Sequence, residues 1–156
     1  MSRTNPLISL LAPEAGFRAM QFAQVVIPSL QTLSRVHLTT VIEGASEDPL
    51  AGLCDELQQI LGKNKLETLK IQIGVQMDDE CRMGDEWGRL EKVLLKRSGW
   101  PMLNQVSLDI VVYNFRRQEG GPFALALKGL PQTQFTRLTS AKHLNFRFSV
   151  REQQTS

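Results

Sequence analysis

Four separate stretches between residues 30 and 151 alternate apolar and other side chains with a period of two. Val36, Leu38, Thr40 and Ile42 alternate with His37, Thr39, Val41 and Glu43. Leu69, Ile71, Ile73 and Val75 alternate with Lys70, Gln72, Gly74 and Gln76. Val106, Leu108, Ile110 and Val112 alternate with Ser107, Asp109, Val111 and Tyr113, and Leu144, Phe146, Phe148 and Val150 with Asn145, Arg147, Ser149 and Arg151. Successive side chains of a strand point to opposite faces, so each stretch predicts a strand with one apolar side. A leucine stands upstream of each: Leu33, Leu66, Leu103 and Leu138. The first core positions, Val36, Leu69, Val106 and Leu144, lie 33, 37 and 38 residues apart, which reads as an irregular repeat.

Between the strands the apolar period lengthens to that of a helix. Ser46-Glu47-Asp48-Pro49 reads as a helix start, with Ser46 as cap, two acids at the positive end and proline in the first turn. That helix buries Leu50, Leu53, Cys54, Leu57, Ile60 and Leu61, and Gly62 closes it in a left-handed conformation. A second helix, capped by Asp85, presents Trp87, Leu90, Val93 and Leu94, carries Lys96 and Arg97 in its last turn and stops at Gly99. Gly120-Gly121-Pro122 breaks the chain before a short helix through Phe123, Leu127 and Leu130 that Pro131 ends. Residues 1–29 read as an N-terminal helical segment ending at Pro28, with Phe22, Val25 and Val26 on one face and Phe17, Met20, Gln24 and Ile27 on another. The repeat domain spans 30–151, and 152–156 is a polar, flexible tail.

The resulting order, strand–helix–strand throughout, predicts an α/β fold with parallel strands joined by right-handed crossovers. Helices on one face would make a short leucine-rich-repeat-like β/α solenoid of about four parallel strands; helices on both would make a doubly wound sheet. A sheet covered on both sides needs apolar residues on both faces. Here one face carries Lys70, Gln72, Gln76, Asp109, Asn145 and Arg147, so cover on one side is the expectation.

Composition adds little. With 42% hydrophobic and 22% charged residues the chain has the makings of one folded domain. A net charge of +2 argues against nucleic acid or an anionic membrane as partner. No apolar run is long enough to cross a bilayer, and the first residues read as neither signal nor transit peptide. Cys54 falls among helical leucines as a core residue, while acids around Cys81 hold its thiol protonated. A reducing intracellular compartment, cytoplasmic or nuclear, is the simpler expectation.

Three phrases carry a family likeness: Asn64-Lys65-Leu66-Glu67-Thr68-Leu69-Lys70-Ile71, Gly84-Asp85-Glu86-Trp87-Gly88-Arg89-Leu90, and Gly99-Trp100-Pro101-Met102-Leu103 with Val106-Ser107-Leu108. Together they resemble the C-terminal leucine-rich-repeat-like region of the F-box-type proteins of mushroom-forming fungi, over most of residues 30–150. The resemblance implies a substrate-selecting repeat surface attached to a cullin-based ubiquitin ligase. The F-box pattern itself is not seen in residues 1–29.

The candidate site is the hydrated strand face, the concave side of such a solenoid: His37, Thr39, Lys70, Gln72, Asp109, Tyr113, Asn145 and Arg147. It reads as a protein-recognition surface, with Tyr113 and Arg147 as the residue types that dominate interfaces. The other candidates read as ordinary structure. The acidic loop Asp78–Glu86 fails the EF-hand spacing, His37 and His143 form no ligand pair, no Gly-x-Ser-x-Gly elbow is present, and Gly120-Gly121-Pro122 lacks a phosphate-loop ending. The expectation is a non-enzymatic protein-binding module with no cofactor, metal or small-molecule substrate. The alternatives are a doubly wound enzyme or nucleotide binder, with ligands near Glu43, Gln76 to Asp79, Asn114 and Arg151, and a truncated fragment exposing Phe17, Phe22, Val25 and Val26.

Overall fold

A computed structural model describes residues 7–12, 21–43, 50, 52–77, 86–96, 98–114, 125 and 127–154. The elements, in chain order, are β1 (Leu7–Ala12), α1 (Phe22–Val26), β2 (Arg35–Glu43), α2 (Leu53–Gln59), β3 (Thr68–Met77), α3 (Glu86–Leu94), β4 (Gln105–Asn114), α4 (Leu130–Thr133), α5 (Thr136–Ser140) and β5 (Asn145–Gln154). The five strands form one sheet in the order β1-β2-β3-β4-β5, every neighbouring pair parallel. The α/β class and the parallel sheet agree with the sequence pattern.

Register follows from the period-two alternation. Ile8, Val36, Leu69, Val106 and Phe146 stand side by side, and so do Leu10, Leu38, Ile71, Leu108 and Phe148. From Val36 to Val112 the inward residues of β2, β3 and β4 with described side chains are almost fully buried. They share one core with Phe22, Val26, Leu50, Leu53, Leu57, Ile60, Trp87, Leu90 and Leu127 from the connectors. Leu33, Leu66 and Leu103 are buried just ahead of their strands, as the repeated upstream leucine requires. Each such aliphatic side chain contributes about 2 kcal/mol on burial, and the shared core is the main source of stability.

The register is carried back ahead of the strands by shared carbonyls. Ser34 O accepts from the Glu67 and Thr68 amides (2.8 and 3.1 Å), and Glu67 O from those of Asn104 and Gln105 (3.0 and 3.1 Å). Asn104 O accepts from the Asn145 amide at 2.8 Å. The connectors are tied together as well. The Gly62 amide, at φ +74 in the left-handed region the sequence calls for, donates to Gly99 O at 2.9 Å. Buried Asn64 uses its whole amide group. Nδ2 donates to Ile60 O and Gly99 O (2.8 and 3.0 Å) and Oδ1 accepts from the Leu66 amide (3.1 Å). Two glutamates cap helices other than their own: Glu56 accepts from the Ala23 amide of α1 (2.9 Å), and Glu91 from the Arg137 and Leu138 amides of α5 (2.8 and 3.1 Å).

Several expectations need correction. The sheet has five strands, not about four, because Leu7–Ala12 is a strand within the segment read as helical. Leu7-Ile8-Ser9-Leu10-Leu11 is a short apolar run whose period does not separate helix from strand, and the unpaired edge of β2 recruits it. Phe22 and Val26 are buried in the core; of the side chains read as an exposed N-terminal face, Val25 is exposed and Phe17 lies outside the described residues. The first long helix starts at Leu53, since Gly52 is left-handed (φ +89) and cannot lie inside it; Ser46 and Pro49 lie outside the described residues. Pro131 stands in the first turn of α4 rather than ending a helix, a place where its missing N–H has no helical partner to lose. Phe146, not Leu144, stands opposite Val106, so the last repeat step is two residues longer than the sequence spacing suggests. In that connector Phe135, between α4 and α5, is buried with its ring 6.2 Å from Trp87, 5.4 Å from Phe146 and 5.7 Å from Phe148.

Glu91 tests the cross-capping. Glu91→Ala leaves two α5 amides without their carboxylate acceptor and should lower stability to urea by about 3 kcal/mol, with Glu91→Gln in between. A loss below about 1 kcal/mol for the alanine would show that water replaces the carboxylate.

Candidate functional site

The strand face opposite the core is organised in rows by the same register. Nearest the strand starts are Arg35, Thr68, Gln105 and Asn145; next come His37, Lys70, Ser107 and Arg147; then Thr39, Gln72, Asp109 and Ser149. Val41, Gly74, Val111 and Arg151 follow, and Glu43, Gln76, Tyr113 and Gln153 form the last row. Seven of the eight sequence-selected residues therefore fall in three adjacent rows. Tyr113 stands apart, four residues further along its strand from Asp109, or roughly 13 Å.

Accessibility differs from that of the core face. Lys70, Asn145 and Arg147 are exposed, and His37, Thr39, Gln72, Asp109 and Tyr113 are half-buried. The Thr39 hydroxyl lies 3.4 Å from His37 Nε2, and the Ser149 hydroxyl donates to Asp109 Oδ1 at 2.6 Å. Lys70 and Arg147 make no ion pair with any carboxylate among the described residues. Away from this face, Arg89 joins Asp55 of α2 (2.9 Å) to Glu86 of α3, and Lys128 meets Glu152 at 3.5 Å.

Tyr113 does not stand up from the sheet as a free anchor. A Cβ on Gly74 would lie 3.0 Å from Tyr113 Cε2 and 3.4 Å from a Val41 methyl, so the ring leans across the strand onto bare backbone. Val111 beside it is 5% exposed although it belongs to the outward set and lies outside the main core. Around Gly74 the far part of the face is thus locally closed by Tyr113 and Val111, while Arg151 and Gln153 beside them are exposed. The sequence pattern placed Ser107 and Ser149 on this face without selecting them as site residues, and it left out Arg35, Thr68 and Gln105, which continue the face toward the strand starts. Their parity along the strands was the available signal.

A hollow of about 460 Å³ lies at the starts of β4 and β5, lined by Trp100, Pro101, Met102, Leu103, Asn104 and His143. It sits at the opposite end of the sheet from the carboxyl ends, where open α/β sheets hold their ligands. Of the residues assigned to a crevice there, Glu43, Gln76, Met77 and Asn114 are the last or near-last residues of their strands. Asp78 and Asp79 lie outside the described residues, as do Cys81, Asp85, Arg116, Arg117 and Gly120 to Phe123. Among the described residues no cluster of three His, Cys, Asp or Glu side chains could hold a metal ion. No helix among them is long and apolar enough to cross a membrane.

Cys54 is wholly buried, its thiol 3.5 Å from Glu86 O. Burial pushes that thiol far above its ordinary range, and the Glu86 hydrogen bond and charge push it the same way. It is a core residue, as its helical leucine neighbours led one to expect. No family model, curated protein or solved structure matches this chain.

The raised thiol fixes a pH dependence. Folded protein keeps a proton that the unfolded chain releases above about pH 8.5, so this contribution to stability is complete below that pH and falls as pH rises. Relative to Cys54→Ala, the wild type should lose about 1.4 kcal/mol per pH unit above about pH 9 in urea titrations. Parallel pH profiles for the two proteins would show that the thiolate is tolerated in the fold.

Proposed function

We propose that this chain is a protein-interaction module, a short leucine-rich-repeat-like β/α solenoid whose polar strand face docks a partner protein. The observation that carries this reading is the strand order, which runs β1 to β5 without reversal. Right-handed crossovers that all step the same way put their connectors on one side of the sheet. A doubly wound sheet reverses direction at a switch point, and the ligand crevice of such folds forms there. Burial supports the same picture. The connectors' apolar residues share a core with one set of strand positions, and the other set stays half-open to water. Parallel sheets open on one side belong to repeat scaffolds, which use that side for binding.

The resemblance of Asn64–Ile71, Gly84–Leu90 and Gly99–Leu103 to the repeat region of mushroom-type F-box proteins extends the reading. On it, the face selects a protein for a ubiquitin ligase, with recruitment depending on a part not recognised in residues 1–29.

Site-specific photo-crosslinking tests the face. A photoreactive residue at Gln72 or Ser107 should capture a defined protein from a lysate of a mushroom-forming fungus, and one at exposed Gln58 on α2 should not. Capture from Gln58 alone would move the interface to the helix layer and overturn the proposal.

A further inference from the structure

We propose that the open face takes an acidic, extended segment of the partner, held across the strands by Lys70 and Arg147. This deepens the recognition reading above and rests on it. The described helices carry both signs, Asp55, Glu56, Glu86 and Glu91 with Arg89, Lys92 and Arg137, and two of these acids already pair with Arg89. Lys70 and Arg147 share the middle open row, and Asp109, the carboxylate of the three open rows, already accepts the Ser149 hydroxyl at 2.6 Å. Lys70 and Arg147 are exposed and lack a carboxylate partner among the described residues.

Register sets the span between them. Lys70, Ser107 and Arg147 stand side by side on β3, β4 and β5, so the two cations rise from strands about 10 Å apart. A polyproline-II chain repeats every three residues, or about 9.3 Å, so acids at every third position face both cations at once. The flanking rows supply neutral donors and acceptors for a peptide backbone, among them Thr68, Gln105, Asn145, Thr39 and Gln72. Single-stranded nucleic acid fits less well. Such strands bind on stacking platforms, and Tyr113 on this face leans onto Gly74 at the far end. Exposed charge pairs are each weak and screened, so the complex is salt-sensitive, and charge steers its formation.

The test uses the full chain and a fluorescein-labelled peptide of Glu-Ser-Ser repeats, followed by anisotropy at low salt. The Glu peptide should bind and the matching Gln-Ser-Ser peptide should not. Lys70→Glu with Arg147→Glu should weaken binding by at least about tenfold, and Lys70→Gln with Arg147→Gln by less. Lys92→Glu with Lys96→Glu changes net charge equally on the helix side and should leave binding intact. Equal loss in both Glu double variants, no binding of the Glu peptide, or binding only of a single-stranded oligonucleotide would each overturn the proposal. A partner cross-linked from Gln72 through a segment that is not acidic would overturn it too, while leaving the recognition face standing.

Discussion

The starts of β3, β4 and β5 are each tied to the strand before by one carbonyl at the threshold. Ser34 O holds the start of β3, Glu67 O the start of β4 and Asn104 O the start of β5. Side chains alternate with a period of two, so a slip of one residue at any of these points would move a whole strand's apolar set from the core to water. The core rows and the polar rows are two consequences of that one alignment. The same bonds that bring Val36, Leu69 and Val106 together bring His37, Lys70 and Ser107 together on the other side.

The connectors depend on polar groups buried with them. Glu56 and Glu91 satisfy helix amides that their own helices lack partners for, and Asn64 joins the end of α2, the Gly99 turn and the start of β3. A buried polar group stabilises when it is paired, and Asn64 has its whole amide group paired. These polar groups fix where each connector lies on its neighbour, which the apolar contacts alone would leave to slide.

Much of this was legible in the sequence because period-two alternation is strong in β2, β3 and β4, and because Leu33, Leu66 and Leu103 repeat at the same place before them. Gly62 was legible for a different reason: a glycine just past a helix end is the residue that adopts positive φ there. β1 was not legible, since a run as short as Leu7–Leu11 takes its conformation from the strand edge beside it. Phe135 was missed because it sits in a connector with no helical period, and Pro131 misled because proline both starts and stops helices. Of the site, the face was legible and its internal division was not. Tyr113 stood in the outward pattern, but nothing in that pattern showed its ring lying over Gly74.

The account turns on a sheet sealed on one side and open on the other. Maleimide labelling of single cysteines placed in a Cys54→Ala, Cys81→Ser background tests that directly. Lys70→Cys and Arg147→Cys should react in the native state close to their rates in urea, with Ile71→Cys and Leu108→Cys protected until the protein unfolds. Protection at Lys70 and Arg147 comparable to that at Ile71 would mean that the outer face is covered, and the account would fail.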